Sequence, residues 1–222
     1  MTVKLFLLGL PGSGKSTVAR HIQQYVRNWD WSTSHFSDYP ILQKMFRKDV
    51  EGKQFKPADH GGFDVIDFTV VDTALKRLEQ KIKRYIASKK SAKLILIEFS
   101  RPSYQHAFRQ FSQKFLRDQD TYFLYLVTEL DTCKQRISNR TANPIFEDDY
   151  HVSENIFKQY YHQDDGQHLP DILERVYQID RRHVRVINNN DSLEAASTEI
   201  NAFVHFIVAR TPLNINIAGT PT

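Results

Sequence analysis

Apolar and polar positions along the chain alternate between two rhythms. Val3–Leu8, Leu94–Glu98, Tyr122–Val127 and Val184–Ile187 are continuous apolar or β-branched runs, the pattern of strands covered on both faces. Thr33–Ser37 is a weaker run that completes a set of five. Between the runs, apolar residues recur every three or four positions. Val18, Ile22, Tyr25 and Val26 form one such stripe. Val65, Phe68, Val71, Leu75, Leu78, Ile82 and Ile86 form a second, and Leu193, Ala196, Ile200, Phe203, Val204 and Ile207 a third. Short buried runs alternating with amphipathic helices predict an α/β fold, with a parallel sheet and crossover helices. The aromatic stretches Phe108–Phe115 and Tyr122–Tyr125 belong to its core. With no internal repeat and no Gly/Ser linker, the pattern reads as one domain over 1–210. A flexible tail follows over 211–222.

Composition adds exclusions. A chain of 222 residues, 41% hydrophobic and 25% charged, needs no covalent staples to fold. Its one cysteine, Cys133, excludes an internal disulfide framework and a multi-cysteine zinc cage. The longest apolar run is broken by Lys4 and ends near Leu10, short of a membrane span. A glycine-rich loop stands where a signal peptide would place its cleavage site, so the expectation is a soluble, cytoplasmic protein without a membrane partner. The net charge of +4 hides two blocks: Lys76–Lys93 carries eight Lys/Arg and one acid, and Asn143–Asp180 nine acids and two bases. A solvated helix face with cations at its C-terminal end accounts for the first block. Nucleic-acid contact is the less favoured reading.

One motif decides the class of chemistry. Gly9-Leu10-Pro11-Gly12-Ser13-Gly14-Lys15-Ser16-Thr17 fits G-x-x-x-x-G-K-[ST] in full, directly after a buried-strand run and at the start of an amphipathic helix. Glycines there let successive backbone N–H groups turn towards a polyphosphate, and the helix N-terminus adds partial positive charge. Lys15 is the candidate for the β- and γ-phosphates, and Ser16 offers a hydroxyl to Mg²⁺.

On this loop the chain resembles the P-loop kinases of nucleosides, nucleotides and small metabolites. The proline after the second loop position is similar to the adenylate-kinase form, and the order of elements is similar over about Val3 to Val208. The resemblance implies a three-layer α/β/α P-loop fold with a five-stranded parallel sheet and a helical lid inserted at about 140–152. It also implies ATP·Mg²⁺ as donor and phosphoryl transfer to a small acceptor.

Other candidates follow the strands. Asp38 ends the weak second strand, where a carboxylate either accepts the acceptor's proton or caps the segment Tyr39–Phe46. Glu98 follows the most apolar strand and resembles a Walker-B carboxylate that holds Mg²⁺ through water or meets the acceptor; the alternative is an ion pair capping the sheet edge. Arg101 is a candidate to grip the acceptor. The sequence Glu98-Phe99-Ser100-Arg101 departs from both the adenylate-kinase and the deoxynucleoside-kinase forms at this point. Arg136 and Arg140, four apart on a helix leading to the lid, share one face, and either both address phosphates or are two solvated arginines of a surface helix.

The lid segment carries Glu147, Asp148 and Asp149. These read either as a solvated loop or as carboxylates that recruit a second cation or favour a positively charged acceptor. His151-Val152-Ser153-Glu154 resembles the lid exit of polynucleotide-kinase-like enzymes and reads independently as a capped helix start. By the same family likeness, the loop Asn188–Asp191 borders the adenine. The expected function is an ATP-dependent phosphotransferase acting on a small molecule or nucleotide. The alternatives are a polynucleotide 5′-hydroxyl kinase and an NTP-binding regulatory module without catalysis. Oligomeric state, donor base and acceptor identity are not fixed by the pattern.

Overall fold

A computed structural model of the chain describes residues 2–58, 62–88, 92–142, 152–161 and 165–210. The lid candidates 143–151, the tail 211–222 and Lys89, Lys90 and Ser91 of the basic block lie outside the described residues.

The first strand, β1 (Val3–Gly9), is buried throughout and runs into a turn that opens α1 (Lys15–Val26). Next come β2 (Thr33–Ser37), α2 (Tyr39–Phe46) and a short antiparallel hairpin of β3 (Phe55–Pro57) and β4 (Phe63–Val65). The long helix α3 (Thr69–Ile86) leads to β5 (Leu94–Glu98), followed by α4 (Tyr104–Phe108) and α5 (Gln113–Leu116). The chain then forms β6 (Thr121–Val127), α6 (Leu130–Ala142), α7 (Glu154–Tyr160) and α8 (Leu169–Tyr177), and closes with β7 (Val184–Asn188) and α9 (Leu193–Arg210). Five strands form one sheet in the order β2-β5-β1-β6-β7, and every neighbouring pair is parallel. Among the described residues no helix is long and apolar enough to cross a membrane.

Alternation along the strands divides the interior into two layers. Phe6, Leu8, Ile95, Ile97, Phe123 and Tyr125 face Leu75, Leu78 and Ile82 of α3, together with side chains of α4, α5 and α8. Val3, Leu5, Leu7, Leu94, Leu96, Leu124 and Leu126 face α1 and α9. The result is the three-layer α/β/α P-loop fold. Phe6 is the hub of the first layer, stacked on Phe123 with centroids 5.0 Å apart and meeting Phe99, Phe108, Phe111 and Phe115 edge to face. The aromatic stretches therefore fill the core, as their pattern implies.

One stripe is broken where the pattern runs on. Val65 belongs to β4, and α3 begins only at Thr69, so Val65 and Phe68 are not helical positions of α3. Asp67 accounts for the break: its carboxylate accepts from the Thr69 N–H at 2.9 Å and from the Thr69 hydroxyl at 2.8 Å, fixing the entry to the helix. Phe63, Val65 and Phe68 pack instead with Leu42, Met45 and Phe55 in a separate small cluster beside α2. The chain leaves β1 for α1 on one face and leaves β5 for α4 on the other. A crevice therefore lies between the carboxyl ends of these adjacent strands, where open α/β sheets take ligands.

Candidate active site

The turn after β1 is built against its neighbours. Gly12 has φ +82°, and a Cβ there would collide with the backbone carbonyl of Cys133 on α6. At Gly9, φ +143°, a Cβ would lie 2.5 Å from Ser13 Oγ and 2.8 Å from Leu126 O. Only glycine fits both places. Pro11 and Ser13 are buried, Gly14 ends the turn at φ +94°, and Thr17 is exposed on the first turn of α1. The loop from β7 closes the turn from the other side, with Asn189 Nδ2 donating to Ser13 O at 2.7 Å.

Lys15 is 5% exposed, and its Nζ donates to Leu10 O at 2.8 Å and to Gly9 O at 3.2 Å. Burial is the main cause that lowers the pKa of its ammonium, and the charge of Arg140 adds to it. Glu98 and Asp38 act in the opposite direction. Ser16 Oγ donates towards Glu98 at 2.9 Å (Oε1) and 3.1 Å (Oε2). His35 Nε2 lies 2.9 Å from Glu98 Oε2, and because an ionised carboxylate only accepts, this nitrogen carries the hydrogen. Burial pushes the Glu98 carboxyl up, but the His35 hydrogen bond, the Lys15 charge and the Ser16 hydroxyl outweigh it and hold it below the ordinary glutamate value.

Asp38 stands at the start of α2, but its side chain makes no capping hydrogen bond and its backbone is already helical. Of the two expected roles, the cap is therefore not observed. Arg101 Nη2 donates to Asp38 Oδ2 at 2.6 Å and to Val71 O at 3.0 Å, while Nη1 donates to Ser100 O at 2.6 Å. Both partners are buried, Asp38 at 6% and Arg101 at 6% exposure. Burial opposes the Arg101 charge, yet the Asp38 carboxylate raises its pKa above the ordinary arginine value. Asp38 Oδ1 takes no hydrogen bond among the described residues.

Lys15, Ser16, His35, Asp38, Tyr39 and Glu98 line one cavity of about 580 Å³ together with Arg47 and Gln43. A smaller space of about 100 Å³ continues past Asp38 and Tyr39 between Phe63, Phe68, Arg101 and Tyr160. Its walls are two stacked aromatic pairs, Tyr39–Phe63 at 5.6 Å and Phe68–Tyr160 at 4.3 Å.

The two arginines of α6 behave differently. Arg136 donates to the backbone carbonyls of Asn189, Asn190 and Asp191 at 2.8, 3.1 and 2.6 Å, which ties α6 to the loop after β7. Arg140 lies close enough to act electrostatically on both Lys15 and Tyr39. Beyond the lid segment, Ser153 Oγ accepts from Ile156 N at 3.3 Å and caps α7, as its sequence implies. In the basic block, Lys83 is paired with Glu79, and Lys81 sits over the Phe36 ring at 5.5 Å. Those two cations are engaged within the fold.

The sequence pattern did not single out His35, Tyr104 or the aromatic walls. His35 had one available signal: it lies two residues before Ser37 on β2, hence on the same strand face, and Ser37 pairs with Glu98 at the end of β5. Tyr104 reaches Gly9 across the fold and leaves no local trace in the sequence.

Neither a protein-family model nor a curated sequence relative matches the chain. Among solved structures it is similar to a protein named APE1195, at 15% identity and TM-score 0.50 over 94% of this chain and 96% of that one. It is also similar to a gluconokinase from Sinorhizobium meliloti 1021, at 15% identity and TM-score 0.48, covering 93% and 94% of the two chains. An uncharacterized protein from Eubacterium ventriosum ATCC 27560 aligns at 12% identity and TM-score 0.43, over 94% and 100%. The likeness to APE1195 at these values is one of fold.

Proposed function

We propose that the protein is an ATP-dependent phosphotransferase that moves the γ-phosphate to a hydroxyl of a small molecule or nucleotide. The observation that carries this reading is one cavity lined by Lys15 and Ser16 at the end of the glycine turn, by Glu98, and by Asp38, whose partner Arg101 lines the smaller adjoining space. A module that only bound nucleotide would have no use for the second half of that cavity.

The backbone N–H groups of the turn and the start of α1 would receive the phosphate tail, and Lys15 would exchange its two carbonyl partners for phosphate oxygens. The Ser16 hydroxyl and the Glu98 carboxylate are hard oxygen donors converging on one point, which fits hydrated Mg²⁺. When bound, such an ion neutralises charge on the β- and γ-phosphates. His35 holds Glu98 in place. Asp38, with Oδ2 fixed by Arg101, presents Oδ1 as the acceptor for the proton of the attacking hydroxyl. Arg140 supplies positive charge beside Lys15. Arg136 shapes the site indirectly by holding the loop after β7.

The test is incubation with ATP·Mg²⁺ and a panel of hydroxyl-bearing metabolites and nucleotides, reading ADP. Acceptor-stimulated ADP formation is the expected result. Tight ATP binding with no stimulation by any acceptor would overturn transfer in favour of a binding module. Phosphate release without acceptor would make the protein a plain NTPase.

A further inference from the structure

The Gly9 peptide sits where the sheet runs out. The pairing of β1 with β5 ends at Leu7 opposite Glu98, so the β5 side offers Gly9 no strand partner. A side chain takes that place. Tyr104 Oη accepts from the Gly9 N–H at 2.7 Å and donates to the Gly9 carbonyl at 3.1 Å. The ring is fully buried, packed edge to face on Tyr125 and tilted against Phe99 and Phe108. Its helix is anchored from outside by Asp165, which accepts from Tyr104 N at 2.7 Å, Ser103 Oγ at 2.8 Å and Gln105 N at 3.3 Å.

The same carbonyl holds Lys15. Of the two carbonyls that receive Nζ, Gly9 O has Tyr104 as a second donor, and Leu10 O has the Ser13 N–H at 3.0 Å. Lys15 can therefore turn away from both without leaving a buried acceptor unsatisfied, which would otherwise oppose the move. We propose that Tyr104 is a positioning residue of the phosphate cradle: its hydroxyl keeps Gly9 satisfied when Lys15 leaves for a phosphate, and so releases the lysine at low cost. This inference rests on the cradle reading above, but it needs no acceptor and no phosphoryl transfer.

The experiment is calorimetric titration of ADP·Mg²⁺ into the full chain, Tyr104→Phe, Lys15→Met and the double variant, below their melting temperatures. Tyr104→Phe should bind about tenfold more weakly than the parent, because the departing lysine now orphans the Gly9 carbonyl. In the Lys15→Met background, where no lysine has to leave, the same change should cost less than about threefold. Asp165→Ala, which loosens the anchor without touching the ring, is the second variant and should weaken binding in the same direction. An equal loss with Lys15 present and in the Lys15→Met background assigns Tyr104 to packing alone and overturns the proposal, as does parental affinity in Tyr104→Phe. A parent that takes up no ADP removes the cradle itself, a different failure from either.

Discussion

The hydroxyl of Ser16 meets both oxygens of Glu98, at 2.9 and 3.1 Å, and thereby joins the first turn of α1 to the end of β5. Glu98→Gln keeps the shape of this contact and removes its charge. The Mg²⁺ concentration for half-maximal ATP binding should rise by about tenfold or more, the usual scale for groups that orient a metal site. Calorimetry at stepped Mg²⁺ reads it, and an unchanged midpoint would take Glu98 out of the cation site.

Lys15→Ala should reduce nucleotide-dependent phosphoryl transfer by roughly a hundredfold or more, the scale expected when a donor aimed at developing phosphate charge is lost. Cooperative thermal unfolding should persist, because the core layers of the sheet do not depend on the ammonium. ADP release and a melting curve on the same sample test both halves.

Asp38 and Arg101 are buried together, so removing one partner exposes the cost of the other. Asp38→Asn should lose about 3 kcal/mol in chemical denaturation, and Arg101→Met added to it should recover part of that loss. In kinetics, Asp38→Asn should reduce turnover far more than it weakens ATP binding. The reverse pattern would mark the pair as a structural brace.

The segment that leads into the β3–β4 hairpin should be sensitive to acid. Asp49 accepts from the N–H groups of Gln54 at 2.7 Å, Phe55 at 2.8 Å and Lys53 at 3.2 Å. Burial pushes this carboxyl up, and the three backbone donors together outweigh it, so its pKa lies below the ordinary 3.8. A lowered folded value means that the contribution is complete above 3.8 and is lost as pH falls through the folded pKa. Asp49→Asn should therefore flatten the acid limb of a stability–pH curve while leaving the limb above neutrality unchanged.

The central strands were legible because burial on both faces writes an apolar run, broken in β1 only at Lys4; the two edge strands, the weaker Thr33–Ser37 and β7 with Arg185 and Val186 exposed rather than covered on both faces, carry a thinner signal. The turn from Gly9 to Lys15 was legible because the backbone admits so few residues there. The stripe from Val65 to Ile86 misled for a physical reason. A hairpin residue and a helix residue both turn towards Leu42 and Phe55, so apolar spacing continues across a change of structure. Asp67 was the mark of the boundary. Tyr104 and the Asp38–Arg101 pair depend on contacts between distant parts of the chain, and local periodicity carries no information on them. Arg136 and Arg140 show the limit of helical spacing: it places two side chains on one face, but the partners waiting there decide what each one does.

Cys133 gives the molecule a built-in clock. It is the only thiol in the chain and is wholly covered, and its backbone is the surface on which Gly12 rests. A bulky disulfide reagent should reach that sulfur only when its cover opens, and the cover joins Leu10 of the turn to Ile137 of α6 and to Phe157 and Tyr161 at α7. The labelling rate of the unmodified protein should thus report how often α6, α7 and the turn separate, and occupancy by a nucleotide should slow it.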